Sequence, residues 1–166
     1  MAELRLAGRP ASPGFASGPV LRLLEQKVNR VSTGDPLREA EELKHAIANA
    51  LSSIAALAEH AEGEASEMLG FQLAMLEDDA LSEAAFQSIA LGQAADDAWR
   101  LALDTEIELY RSGDDEYFQA RSADLEDIRD TVLDHLSGAH TKFLVPPGAI
   151  IAARDLAPSR FLSVDW

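Results

Sequence analysis

The feature that most constrains this fold is a long succession of apolar residues at helical spacing through the middle of the chain. Asp35-Pro36 has the form of an N-cap followed by proline at the first helical position, and Gly63 is a stop signal. Between them, apolar residues recur every three or four positions: Leu37, Ala40, Leu43, Ile47, Leu51, Ile54, Leu57 and Ala61. The pattern predicts one long amphipathic helix that ends near Gly63.

The same periodicity predicts four further helices. We expect them at about residues 65–77, 80–91, 94–111 and 114–137. Gly92, Gly113 and Gly138 follow three of these segments, and glycine commonly ends a helix. One face of the last helix is apolar and consists of Phe118, Leu125, Ile128, Val132 and Leu136. Because short connections place long helices side by side in opposite directions, the sequence predicts an antiparallel helical bundle.

The two ends of the chain have strand character instead. The segment 4–8 alternates, 18–24 and 149–153 are short β-prone runs, and 155–162 predicts a turn into a helix. We therefore expect a β-rich start at residues 1–32, a helical domain at 33–142, and a return at 143–166 into the unit that the start belongs to. That unit is expected to be α/β and incomplete at Trp166, so we expect this chain to be a fragment.

Charge and composition argue against several classes of function. The chain carries 29 acidic and 14 basic residues, a net charge of −15, which disfavours nucleic acid and anionic membranes and favours a partner with a basic face. It has no cysteine, so disulfides and thiolate metal sites are excluded. No apolar run approaches the roughly 18 residues of a membrane span. These features predict a soluble cytoplasmic protein.

The sequence offers little for catalysis or metal binding. His45, His60, His135 and His140 are spread along the chain, and each is interpreted as structural. Recognised catalytic and nucleotide-binding motifs are lacking. The carboxylates of the acidic segment 114–130 are expected to form a solvated face of the last helix. We therefore predict no catalytic residue and no metal ligand.

The second predicted helix has two apolar stripes, where a surface helix needs one. Ala65, Leu69, Leu73 and Leu76 form the first, and Met68, Phe71 and Met75 form the second, about 120° away. Glu64, Glu67 and Asp78 surround the second stripe. Methionine and aromatic residues are common at protein interfaces, so this stripe is a candidate partner surface. The alternative is that neighbouring helices bury both stripes.

Four motifs in order resemble one known family. They are "ASPGFASGPV" (11–20), "FQLAMLEDDAL" (71–81), "DDEYFQARSADLEDIRD" (114–130) and "AIIAARDLAPS" (149–159). Together they resemble the N-terminal part of enzyme I of the bacterial sugar phosphotransferase system, the phosphoenolpyruvate-protein phosphotransferase. The resemblance implies a helical domain that docks the phosphocarrier protein HPr, inserted into a swivelling α/β domain that bears a phosphorylated histidine.

The resemblance also implies which residues would contact the carrier. They are Met68, Phe71, Gln72, Met75, Asp78, Asp79, Leu81, Phe118, Arg121 and Ser122. Gln72 stands where the family commonly has a histidine. Arg121 would pair with Asp78 or Asp79, or contact the carrier directly.

Cofactors and assembly are likewise implied by the resemblance. The phosphoacceptor histidine of the family lies downstream of the segment that resembles 149–159, and no histidine follows His140, so this chain alone should not transfer phosphate. Phosphoenolpyruvate and Mg²⁺ would belong to the full-length parent, and none to this fragment. We expect a monomeric fragment of a dimeric parent.

Two competing interpretations remain. One is a structural or oligomerising bundle with solvated acidic faces. This interpretation would be favoured if Met68, Phe71 and Met75 were buried. The other is a relative of pyruvate-phosphate dikinase or phosphoenolpyruvate synthase, which share the mobile domain but lack the docking bundle.

Overall fold

The computed structural model describes residues 7–23, 30–113, 115–138, 145–153, 156 and 158–164. Within them the chain forms six helices and two short strands. In chain order these are β1 (Val20–Arg22), α1 (Pro36–Ala58), α2 (Glu64–Glu77), α3 (Asp79–Ala90), α4 (Ala95–Ser112), α5 (Glu116–Ser137), β2 (Ile150–Ala152) and α6 (Pro158–Leu162). The predicted helical bundle is confirmed. The predicted alternating segment at 4–8 lies mostly outside the described residues.

Helix boundaries follow local capping chemistry. Asp35 caps α1 by accepting a hydrogen bond from the backbone N–H of Leu37 at 3.0 Å, with Pro36 in the first turn. After α3, Gly92 adopts a positive φ of 97°. Glycine takes this conformation without strain, and it commonly ends a helix. The prediction that α1 runs on to Gly63 is wrong, because the backbone N–H of His60 bonds to Leu57 in a tighter turn and the helix ends at Ala58.

The core lies between α1, α2, α3, α4 and α5. Its largest fully buried side chain is Trp99 of α4, whose indole N–H donates to the carbonyl of Arg129 at 3.2 Å. Around it pack apolar residues from all five helices: Leu43, Ile54, Leu69, Ile89, Leu103, Leu125, Ile128 and Val132. Leu37, predicted on the apolar face of α1, is 80% exposed because it lies in the first turn, before the buried part of the helix.

A buried glutamate joins the segment before α1 to the start of α4. Glu39 is 2% exposed and accepts hydrogen bonds from the backbone N–H and hydroxyl of Thr33 at 2.6 and 2.7 Å, and from the hydroxyl of Ser32 at 3.1 Å. It also accepts from the backbone N–H of Ala95 at 2.8 Å and from Nη1 of Arg30 at 2.6 Å. Although burial alone acts to raise it, the pKa of Glu39 lies well below its ordinary value, because these donors stabilise the carboxylate.

The two strands pair in parallel, although all five long helices lie between them in sequence. Val20 pairs with Ile150, and Arg22 with Ala152. Gly18 lies so close to the turn before β2 that a Cβ there would meet the carbonyl oxygen of Gly148 at 2.1 Å. The five helices are therefore inserted between two neighbouring strands, β1 and β2. The predicted domain limits at 32 and 143 are not tested by this pairing and stay a prediction.

No helix in the described ranges is both long and apolar enough to span a membrane.

Candidate protein-docking surface

The helices α2 and α3 meet at a corner made by one residue. Asp78 has extended backbone angles, φ −78° and ψ 115°, so it interrupts the helix. Its carboxylate accepts a hydrogen bond from the backbone N–H of Ala80 at 2.9 Å and thereby caps α3. The predicted docking residues Asp78 and Asp79 are both exposed at this corner.

The two stripes of α2 differ in burial. In the first stripe, Leu69 and Leu76 are 0% and 5% exposed and belong to the core, whereas Ala65 and Leu73 are half-buried. In the second, all three members are half-buried: Met68, Phe71 and Met75. Both methionines of the second stripe also pack against the core. The second stripe is therefore neither a core stripe nor a fully exposed one.

Phe71 of α2 and Arg121 of α5 meet across the two helices. The guanidinium carbon of Arg121 lies 4.6 Å from the centroid of the Phe71 ring, a cation–π geometry. Nη1 of Arg121 donates to Oδ2 of Asp124 at 3.0 Å. The sequence offers Asp78 or Asp79 as the partner of Arg121, whereas this bond goes to Asp124, one turn further along the same helix. The structure thus joins two predicted docking residues that are 50 positions apart.

Phe118 lies one turn before Arg121 on α5. It is 47% exposed, and its ring makes an edge-to-face contact with Tyr110 of α4, with the ring centroids 5.5 Å apart. This contact fixes an aromatic side chain at the surface beside the Phe71–Arg121 pair.

Three predicted contact residues are buried, and their assignment to the docking surface is corrected. Gln72 is 1% exposed, and its side-chain N–H donates to Oδ2 of Asp127 at 3.1 Å. Leu81 is 8% exposed and part of the core. Ser122 is 7% exposed and donates its hydroxyl hydrogen to the carbonyl of Gln119 at 2.7 Å. These side chains support the surface from beneath, and a partner cannot touch them in this conformation.

The prediction that the acidic segment of α5 is a solvated face is also wrong for two residues. Asp124 and Asp127 are 6% and 4% exposed. Burial raises the pKa of Asp124, the charge of Asp127 adds to the rise, and Arg121 opposes it. Asp127 accepts from the backbone N–H of Ser159 at 3.0 Å and from its hydroxyl at 2.6 Å, so it connects α2, α5 and α6. Asp124 and Asp127 are three positions apart, a spacing that places two side chains on the same face of a helix. This spacing was the one sign in the sequence that they lie together.

Acidic side chains surround the second stripe. Four of them are exposed on α2 and at its corner with α3: Glu64, Glu67, Asp78 and Asp79. Arg121, by contrast, is the cation that the structure places on Phe71. A surface of this composition attracts a partner with basic side chains, and the attraction weakens as salt is added.

Two of the described histidines lie within hydrogen-bond distance of a neighbouring group. Nε2 of His135 lies 3.2 Å from the hydroxyl of Ser53, and Nδ1 of His60 lies 3.2 Å from the carbonyl of Ala56. His45 is exposed, and His140 lies outside the described residues. Within the described ranges, no three His, Cys, Asp or Glu residues form a group that could hold a metal ion.

Comparison with known proteins gives a family match over most of the chain. A family model described as "PEP-utilising enzyme, N-terminal" matches residues 7–121. The chain is 32% identical to the phosphoryl donor subunit DhaM of the PEP-dependent dihydroxyacetone kinase of Klebsiella michiganensis, over 98% of this chain and 36% of the relative. It is 30% identical to the phosphoenolpyruvate-protein phosphotransferase of Streptomyces coelicolor, over 95% of this chain and 29% of the relative. The chain thus spans about a third of the length of these curated relatives.

Two solved structures share the fold. A solution NMR structure of an Enzyme I protein (nEIt) superposes with a TM-score of 0.71 and 24% identity, over 92% of this chain and 66% of that chain. The structure described as the N-terminal domain of Enzyme 1 - Nitrogen superposes with a TM-score of 0.71 and 23% identity, over 94% and 68%. These likenesses confirm the predicted fold class, a helical bundle inserted into part of an α/β domain.

Proposed function

The chain belongs to the family of PEP-utilising enzymes, of which it carries the N-terminal region, and we propose that its helical part docks an HPr-type phosphocarrier protein for phosphoryl transfer from a phosphohistidine. The observation that carries the proposal is the Phe71–Arg121 contact between α2 and α5, inside a rim of exposed acids. It brings together, across two helices, two residues that the sequence resemblance assigns to docking. The role of this surface is to hold the carrier in position, which is how it contributes to catalysis.

The proposed surface consists of seven side chains that the structure leaves exposed or half-buried. They are Met68, Phe71, Met75, Asp78, Asp79, Phe118 and Arg121. Aromatic residues and arginine commonly dominate binding energy at interfaces, so Phe71, Phe118 and Arg121 are the expected hot spots. The acids would attract basic side chains of the carrier and set its orientation.

Two classes of relative leave two candidates for the pathway served. The Streptomyces coelicolor relative is a phosphoenolpyruvate-protein phosphotransferase, whereas the Klebsiella michiganensis relative is the phosphoryl donor subunit of a dihydroxyacetone kinase. Both names describe phosphoryl transfer that starts from phosphoenolpyruvate. We propose that phosphoenolpyruvate and Mg²⁺ act in a longer protein of which these residues are part, and that this chain alone does not transfer phosphate.

The proposal is tested by titrating the chain with a purified HPr-type carrier from the same organism in an isothermal calorimeter, at two salt concentrations. We expect saturable binding that weakens at the higher salt concentration. Arg121→Glu should weaken binding about 30-fold, which corresponds to about 2 kcal/mol. Arg38→Glu is the matched control, since it makes the same change of charge at an exposed position outside the proposed surface.

Met75→Asp gives a second, harder test. Met75 packs partly on the core, so circular dichroism must show that the helices of the variant are intact before a loss of binding is attributed to docking. If the folded chain binds no carrier, the docking proposal fails, and a structural or oligomerising bundle becomes the better interpretation. Sedimentation equilibrium checks that second interpretation, because the family resemblance implies a monomer for this chain, whereas an oligomerising bundle would form a dimer or larger assembly.

A further inference from the structure

We propose that Asp124 is a positioning residue: together with the ring of Phe71, it holds the guanidinium of Arg121 in one orientation at the docking surface before a partner arrives. The proposal rests on the proposed function for its consequence in binding. Its structural part concerns the isolated chain and is tested separately.

Two contacts from different directions fix the arginine. The Phe71 ring lies against the guanidinium, at 4.6 Å from centroid to carbon, and Asp124 accepts from Nη1 at 3.0 Å. The guanidinium is planar and its donors lie in that plane. A ring on one face and a carboxylate at one edge therefore define both its tilt and its rotation. The Arg121 side chain is still 22% exposed, so a partner can reach it.

Asp124 is poorly explained as a stabilising residue. Its side chain is 9% exposed, and taking a carboxylate out of water is costly. Burial raises its pKa, and the neighbouring Asp127 raises it further. Among the described residues, Arg121 is the side chain that donates a hydrogen bond to Asp124. A buried acid at the base of an exposed arginine is well suited to orient that arginine.

Orientation matters because a free arginine has many conformations. Immobilising a long side chain on binding lowers affinity, and a side chain already fixed avoids that loss. Releasing Arg121 in the free chain by changing the buried Asp124 should therefore weaken carrier binding by roughly 3- to 10-fold, without removing any group that the carrier touches.

The structural part is tested by NMR on the chain without a partner. The Nε–H of Arg121 should show a high order parameter, and its side-chain protons should be shifted upfield by the Phe71 ring. Asp124→Asn keeps the shape and removes the charge, so it should lower that order parameter. Phe71→Leu should abolish the ring shift. Arg38, whose side chain is 71% exposed, is the internal reference for a mobile arginine. An Arg121 as mobile as Arg38 in the native chain overturns the proposal.

The functional part uses a double-mutant cycle with the HPr-type carrier. Asp124→Asn should weaken binding 3- to 10-fold in the native chain and have no further effect in an Arg121→Ala background. An equal loss in both backgrounds shows that Asp124 acts in another way and overturns the proposal. If the native chain binds no carrier, the proposed function fails, whereas the NMR result still decides whether Arg121 is held.

Discussion

Replacing Glu39 by glutamine should destabilise the fold more than any other neutralisation of a single acid on α1. The carboxylate accepts hydrogen bonds on both oxygens, and every group around it is a donor, including the backbone N–H of Ala95 and Nη1 of Arg30. Glutamine has nearly the same volume but offers one oxygen and one NH₂ group. In either orientation of the amide, the NH₂ group of the glutamine would face N–H or O–H groups that need an acceptor.

The magnitude follows from what Glu39 leaves behind. Removing one partner of a buried ion pair typically costs about 3–5 kcal/mol. Here the side chain of Arg30 is 7% exposed but retains contacts with Glu42 and Asp96, which reduces the loss. We therefore expect Glu39→Gln to lower the free energy of unfolding by about 2–4 kcal/mol. With a urea slope of about 2 kcal/mol per molar, the unfolding midpoint falls by about 1–2 M.

The assay is urea unfolding followed by circular dichroism, repeated between pH 4 and pH 7. The pKa of Glu39 is lowered in the folded chain, so its contribution is present above its ordinary value of 4.5 and is lost as the pH falls. The difference between native chain and variant should therefore shrink below about pH 4.5. Glu41→Gln, at an exposed position on the same helix, is the control. A change below about 0.5 kcal/mol for Glu39→Gln, equal to that of the control, would refute the reasoning.

Three further predictions concern the described fold. Asp127→Ala should cost about 2–3 kcal/mol, since it leaves the buried Gln72 amide without its acceptor, and should speed amide exchange at Ser159, as measured by hydrogen–deuterium exchange; unchanged exchange at Ser159 argues against the connection. Gly18→Ala should disrupt the β1–β2 pair, because its Cβ has no room, while helicity by circular dichroism stays unchanged; intact strand amide protection would contradict this. Gly70→Ala in α2 has open space around its Cβ and should raise stability by about 0.5–1 kcal/mol in thermal unfolding; a lower melting temperature would show that this glycine is needed.

Local signals in the sequence were enough for most of the helices. The N-cap at Asp35, the left-handed glycines 92 and 138, and the apolar repeat of α5 each depend on residues within a turn or two of one another. Capping and periodicity are properties of a short window, so they can be read without knowing the fold.

The buried polar residues could not be predicted in the same way. Gln72 lies between Leu69 and Leu76 on the core face of α2, but a glutamine is tolerated there only because Asp127 lies opposite it, 55 positions away. Glu39 is likewise buried among donors from two segments, residues 30–33 and the start of α4. Such pairs are created by tertiary packing, and the sequence around either member gives no sign of them.

The parallel pairing of β1 with β2 has a consequence for the order of folding. It joins positions about 130 residues apart, and closing so long a flexible loop costs entropy that two strands of three residues can hardly offset. The helices between them close shorter loops, the longest being that between α1 and α5, and their shared apolar core offsets this cost. We therefore expect the strands to join last during folding and to separate first during unfolding, so the helical part should persist as an intermediate without them.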